Sequence, residues 1–337
     1  MKLYQYILKR LVLLIGVLIG VSLMTFTISH MVPGDPVRAM AGMDASKEAI
    51  ERIRQEYGLD KPAYQQYFIY MRNLLRGDLG MSIHTRRPVL DDIKDYLPAT
   101  AELASVSLLL TILVGIPLGV FSAVRKDKLF DHCSRMVALI GVAAPSFWLA
   151  LILQLIFYRL LGWLPYGGRI NDAVDPPTAI TQFYLIDSLL TWNIPAFASS
   201  LHHIILPAFV LSFSGLASIV RIQRASMLEV FGREYIKTAR AKGLREWKVI
   251  YKHALKNAMI PVTTIIGLRF GGMLGGSFIV EWIFSWPGMG YYGTTSITAL
   301  DFTAIMGVAL ILSVTYVIAN LIVDILYTML DPRISYG

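Results

Sequence analysis

Apolar residues along the chain gather into six long runs, near 11–31, 100–124, 136–161, 203–220, 259–283 and 303–328, separated by stretches where charge returns. Each run is close to the ~20 residues that a helix needs to cross about 30 Å of hydrocarbon. The pattern predicts an all-α, polytopic membrane protein with six transmembrane helices. Between the first two runs lie two shorter amphipathic patterns. Ile50, Ile53 and Tyr57 form one stripe, closed by Gly58. Tyr64, Tyr67, Phe68, Met71, Leu74 and Leu75 form another, opened by Asp60 and Pro62 and closed by Gly77. Such stripes suit a small cap packed on the membrane domain, or a surface for a protein that delivers cargo. The stretch 162–202 holds Pro165, Gly167, Gly168, Pro176, Pro177 and Pro195 without a sustained period and is expected to be irregular.

Composition supports a bilayer as the solvent: 55% of residues are apolar and only 16% charged, against about a quarter in soluble domains. The net charge of +8 matters less than its placement. Eighteen of the 31 basic residues fall at the two ends of the chain, near 125–135 and in 221–257. Basic bias in short loops sets orientation, so these segments and both termini are expected to be cytoplasmic. Binding to nucleic acid is not expected, because the basic stretch is a loop between spans. The first run has no small-residue cleavage pattern after it and is read as a retained helix. Cys133 is the only cysteine, which excludes an intrachain disulfide and a cysteine-based metal site. The division expected is 1–31 (amino terminus and first span), 32–97 (exterior cap) and 98–337 (a five-helix core with the exterior loop 162–202 and the cytoplasmic loop 221–257).

The cytoplasmic loop is the most informative segment, with ten basic residues on a helical pattern. Tyr235, Ala239 and Lys242 mark one face of a first short helix, Gly243 breaks it, and Trp247, Ile250, Tyr251 and Leu255 stripe a second. Periodicity alone leaves two readings open: a helix on an anionic lipid surface, or a folded knob below the bilayer.

The wording of this loop, EYIKTARAKGL followed by HALKNAMIP, resembles the so-called EAA loop of bacterial ABC importer permeases, in the variant of the peptide and nickel uptake family. Lys237, Thr238 and Ala239 occupy the places of that motif's opening triplet and Gly243 its glycine, with Glu234 and Ala241 in the same string. Lys256 stands where many relatives have proline, whereas Pro261 matches. Further matches in order are Pro33-Gly34-Asp35-Pro36, Gly77-Asp78-Leu79-Gly80, the E-x-x-F-x-x-P-G-x-G string (Glu281, Phe284, Pro287, Gly288, Gly290), and Asn320, Asp324, Tyr327, Asp331, Pro332 and Arg333.

The resemblance implies a type I importer permease architecture in the inner membrane of a prokaryote. It also implies a second permease subunit forming a heterodimer, two cytoplasmic ATPases and an extracytoplasmic binding protein, with dipeptides or short oligopeptides as cargo. Nickel chelates, glutathione or sugars are alternatives within the same family. In it, the loop around Gly243 couples the permease to the ATPase.

Candidate chemistry fits a transport subunit with no cofactor of its own. No Gly-Lys dipeptide occurs, hence no phosphate loop, so ATP and magnesium are expected on partner chains. His202 and His203 are adjacent and point apart, a poor metal pair. Arg269 sits mid-way along the fifth run, where a charge must find a partner or a water-filled path; pairing within the bundle and lining of the pathway both remain open. Gly267, Gly271 and Gly275, with Gly272 and Gly276 beside them, form ridges that let helices approach closely. These glycines, Arg269, Glu281 and Asn320 are the candidates for the translocation path or the helix interface. Two rival classes are an ion-coupled secondary carrier, which would need buried acids, and a membrane enzyme, for which no catalytic constellation is found.

Overall fold

In the computed structural model, residues 3–31, 46–56 and 60–330 are described. Regular structure among them is helical, apart from one isolated bridge between Met81 and Pro88. Pro33–Pro36, Tyr57, Gly58, Asp331–Arg333 and the side chains of Ile50, Ile53, Asp324 and Tyr327 lie outside the described residues.

Two helices form the spine: α4 (Val89–Val124) and α8 (Ile194–Phe231), which pack along much of their lengths. Around them stand α1 (Leu3–Met31), α5 (Leu129–Ala143), α6 (Ser146–Gln154), α10 (Leu255–Gly276) and α13 (Phe302–Leu330). Shorter helices are α2 (Lys47–Glu56), α3 (Ala63–Leu74), α7 (Tyr184–Leu190), α9 (Glu234–Ala241), α11 (Phe278–Ile283) and α12 (Met289–Thr298). Among apolar helices there is little hydrophobic gain in lipid, so association depends on close van der Waals contact. Gly115 and Gly119 supply it for the spine. A Cβ on Gly119 would lie 2.6 Å from Cβ of Gln223, so only glycine lets α8 approach this closely.

Four stretches are long and apolar enough to cross a membrane: Val89–Val124, Ile194–Phe231, Glu246–Gly275 and Phe302–Ile322. A fifth, expected as one straight helix over 136–161, is instead a pair, Leu129–Ala143 and Ser146–Leu160, bent by 107°. Pro145 explains the bend. It cannot donate a helical N–H, and it drives the residue before it into extended backbone, here Ala144 at ψ 124°. The first predicted run lies in α1, of 29 residues, whose described apolar part is Val12–Ile28.

The stripe predicted on α3 points to α1: the Tyr67 ring meets Phe26 edge to face at 5.3 Å, and the Tyr67 hydroxyl lies 2.9 Å from Ser22 Oγ. Tyr64, Phe68 and Leu75 of that stripe remain exposed. Pro62 precedes α3, and Gly77 follows it at φ +80°.

Candidate functional site

At one end of the bundle the chain leaves α8 at Gly232, forms α9, turns at Gly243 and re-enters through Glu246–Lys248 and a π-helical turn, Val249–Ala254, that runs straight into α10. The second short helix expected after Gly243 is therefore the start of a long one. The turn itself is a double cap: Gly243 N–H donates to Arg240 O (2.9 Å) and Leu244 N–H to Ala239 O (3.3 Å). Such a cap puts its glycine in the left-handed region, and Gly243 has φ +75°. Across the turn, Arg240 pairs with Glu246 at 2.6 Å.

The face that seats this knob differs from the stripe read in the sequence. Ile236 and Ala239 point inward against Val120, Ala123, Met227, Val249 and Ala254, while Tyr235, Lys242, Trp247 and Tyr251 face out. Ala239, Ile250 and Leu255 were assigned correctly to the buried side, and the neighbour of Ala239 on that face is Ile236. The reason is register: i, i+3 from Ile236 to Ala239 meets the spine, and Tyr235 is one position round the helix. Of the residues that carried the motif, Glu234, Lys237, Thr238, Ala241 and Gly243 are exposed. The knob thus has a dry base and a wet, largely basic outer face.

In the middle of the bundle, α8 and α10 border an open cavity of about 540 Å³ lined by Ser214, Ser218, Arg221, Arg269 and Gly272, among others. Arg269 donates to Ser218 Oγ at 2.8 Å, and no carboxylate among the described residues forms an ion pair with it. Gly272 and Gly275 face open space. Gly271 faces the other way: a Cβ there would lie 2.9 Å from Oδ1 of Asn320, so α10 and α13 touch at this point. Gly267 is buried, and the surroundings of Gly276 lie outside the described residues.

At the opposite end Glu281 is fully buried and fully bonded. Its Oε1 accepts from Thr100 Oγ1 (2.8 Å) and Ser277 Oγ (2.6 Å); its Oε2 accepts from the Gly290 and Tyr291 N–H groups (2.7 and 3.3 Å). The helix α12 is thereby hung by its first N–H groups from a carboxylate, which suits the positive end of its dipole. Gly288 and Gly290 are required by this closeness, since Cβ atoms there would stand 2.5 Å from Glu281 Oε2 and 2.4 Å from Phe278 Cα. Trp286, buried beside Ala99, donates its ring N–H to the Ala99 carbonyl at 2.9 Å.

Comparison with known proteins agrees with this architecture. Residues 115–336 match the binding-protein-dependent transport system inner membrane component family, and residues 3–104 match the amino-terminal part described for such membrane components. The chain belongs to this family. It is 49% identical over 324 residues to the probable D,D-dipeptide transport system permease protein of Escherichia coli (strain K12), covering 96% of this chain and 95% of that protein. It is 44% identical to the dipeptide transport system permease protein of Alkalihalophilus pseudofirmus, over 98% of this chain and 99% of the relative. A glutathione transport system permease protein of Escherichia coli O6:H1 is 38% identical over the same shares of the two chains. The protein is a multi-pass membrane permease subunit of an ABC importer.

Two buried ion pairs of this permease were not visible in its sequence. The stretch 162–202, expected to be irregular, is so only in part, since it holds α7 and the first turns of α8; from the irregular part of this excursion Arg169 reaches Glu102 of α4 at 2.6 Å, lies 3.8 Å over the Tyr184 ring and also donates to Gln182 O (2.5 Å). Asp131 of α5 holds Arg224 of α8 at 2.5 Å and accepts from Ser122 Oγ at 2.5 Å. The only signal for the first was a lone glutamate, Glu102, opening an apolar run. His202 lies 2.7 Å from the Trp163 carbonyl and His203 2.7 Å from that of Ser199, so the two rings serve separate contacts.

The excursion has an internal clasp as well. Asp187 is buried and accepts the N–H groups of Ile180, Thr181 and Gln182 and the Thr181 hydroxyl. Burial pushes its carboxyl up, but these four donors outweigh it and hold it below its ordinary range. A depressed folded value means stability that is complete above the unfolded carboxylate value of about 3.9 and lost as pH falls through the folded one. The protection of residues 180–190 against hydrogen exchange, taken relative to the intrinsic exchange rate at each pH, should accordingly fall below about pH 4. In Asp187→Asn protection should be lower already at pH 7, with local opening easier by about 1–3 kcal/mol, and should change little further on acidification. Identical exchange in the two proteins at pH 7 would refute the clasp.

Proposed function

We propose that this chain is one half of a heterodimeric permease that takes dipeptides or short oligopeptides into the cytoplasm by alternating access. A binding protein outside would deliver the cargo, and two ATPases on the cytoplasmic side would drive the cycle. The observation that carries this reading is the knob: a short helix with an exposed, basic outer face, wedged by Ile236 and Ala239 onto the ends of α4, α8 and α10. A push on such a knob must move the spanning helices, because little else can yield in a dry, close-packed base. Glu234, Lys237, Thr238, Ala241 and Gly243 would meet the ATPase, with Ala239 seating the helix. ATP and magnesium would be bound by the ATPases alone.

In this reading the chain has six spans, α1 included, with both termini and the knob cytoplasmic and the 162–202 loop and the 32–97 cap outside. The membrane is the inner membrane of a prokaryote. Reconstitution with a partner permease, ATPases and binding protein should give ATP-dependent accumulation of labelled dipeptide. Accumulation driven by an ion gradient without ATPases would overturn the mechanism; accumulation of glutathione or a metal chelate in place of dipeptide would overturn the cargo. Orientation has its own test. Cys133 is exposed beside the knob end, so a membrane-impermeant thiol reagent should leave it unlabelled in intact cells and label Asp172→Cys in a Cys133→Ser background. Reversed labelling would invert the topology.

A further inference from the structure

The cavity between α8 and α10 has an apolar lining whose charged groups are all cationic. Two guanidinium groups, Arg221 and Arg269, and two hydroxyls, Ser214 and Ser218, line it, and no carboxylate does. Ser218 donates to the Ser214 carbonyl at 3.0 Å, which turns its oxygen lone pairs toward the Arg269 N–H at 2.8 Å. Of the five N–H donors of a guanidinium, Arg269 spends one on Ser218, and no acceptor among the described residues takes the others. A cation at this depth needs an offsetting contact. A hydroxyl fixes its direction without neutralising it.

We propose that Arg269, oriented by Ser218 and followed about one helical turn toward the knob by Arg221, is a station for the free α-carboxylate of a peptide in transit. The inference rests on the peptide-import reading above. A guanidinium presents two parallel N–H groups that match a carboxylate. Every unmodified linear peptide carries that group whatever its side chains, so a station that reads it is tolerant of sequence. The cavity's 540 Å³ lies within the size range of small-molecule sites, whereas a permanent pair with a partner subunit's acid would need no such space. Gly272, about one turn along α10 from Arg269, puts no side chain into this space. Arg221, exposed and nearer the knob, offers the next anchor for an anion leaving in that direction. Passage requires sites that bind weakly enough to release, and a single arginine on a hydroxyl is such a site.

The test uses the complete importer in liposomes, trapped with vanadate after delivery of a photoreactive dipeptide, either as the free acid or as its carboxy-terminal amide. Labelling is normalised to the peptide carried by the binding protein, so that protein's own preference cancels. Expected is labelling of residues 211–222 or 265–273 that is at least about fivefold stronger for the acid, consistent with a charge-assisted contact. Arg269→Gln should bring the acid down to the level of the amide, and Arg269→Lys, which keeps the charge but loses the paired N–H groups, should retain only part of the difference. Equal labelling by acid and amide in the unaltered importer would overturn the station while leaving peptide import intact. A lower yield of assembled complex in Arg269→Gln, with the acid preference kept, would overturn it in favour of a pair with the partner subunit. If neither peptide is imported while another cargo is, the peptide reading fails and the station with it.

Discussion

Gly243→Val should abolish cargo uptake while leaving the permease in the membrane at near-normal yield. The glycine sits at φ +75° in the turn of the knob, and a Cβ there would meet nothing within 4 Å. Loss would therefore come from backbone strain and not from a clash. A β-branched residue in the left-handed region costs ~1–2 kcal/mol, small against the packing of the spanning helices but large for one exposed turn. The strain would be relieved by unwinding the cap, which releases the Ala239 and Arg240 carbonyls and the Arg240–Glu246 pair and lets α9 turn on its base. Gly243→Asn separates this mechanism from a simple need for a small residue, since asparagine tolerates that conformation. It should keep at least about half of the uptake, its cost being only a fraction of the strain that valine meets. The readouts are ATP-dependent uptake and cargo-stimulated ATP hydrolysis in the reconstituted complex. Normal uptake by Gly243→Val would remove the coupling assignment, and equal loss in both variants would show that size matters there and conformation does not.

Much of this helical architecture was legible because a bilayer imposes a coarse length rule, which the four long apolar helices and the bent pair satisfy. What length cannot show is where a run bends. The break at Ala144–Pro145 was written in the sequence as a proline, but hydropathy reads straight through it. Local chemistry was legible too: Gly243 was identified as a helix break, and its positive φ is the physical content of that motif. The buried face of α9 was misread by one position, because Tyr235 and Ile236 are both apolar and only the spine decides between them. Least legible were contacts between residues far apart in the chain. Glu102 and Arg169 are separated by 67 positions and Asp131 and Arg224 by 93, and each looks unremarkable until the helices are brought together.

Glu281→Ala should have the largest structural effect of any single substitution considered. Alanine would orphan the N–H groups of Gly290 and Tyr291 in a place that water does not reach, and would strand the Thr100 and Ser277 hydroxyls. Each buried donor left without a partner costs about 1–3 kcal/mol; the hydroxyls can rotate, so the two N–H groups set a combined loss of ~2–6 kcal/mol, and a marked fall in assembled protein is expected. The geometry predicts a much milder effect for Glu281→Gln. Its amide oxygen can take the place of Oε2 toward the two N–H groups, and its amide nitrogen can donate to the two hydroxyls, which need only rotate. Thr100 can accept this extra bond while still accepting the Met289 N–H at 2.7 Å. The two substitutions also distinguish a structural clasp from an ion-coupled carrier, in which a buried acid would have to gain and lose a proton in each cycle. A clasp predicts that thermal stability falls steeply in alanine and slightly in glutamine, with uptake following stability in both. A proton-handling acid predicts that glutamine leaves stability intact and stops transport. Thermal unfolding of the purified complex, measured beside uptake at one pH, decides between them, and a stable but inactive Glu281→Gln would reverse the assignment of Glu281 to the scaffold.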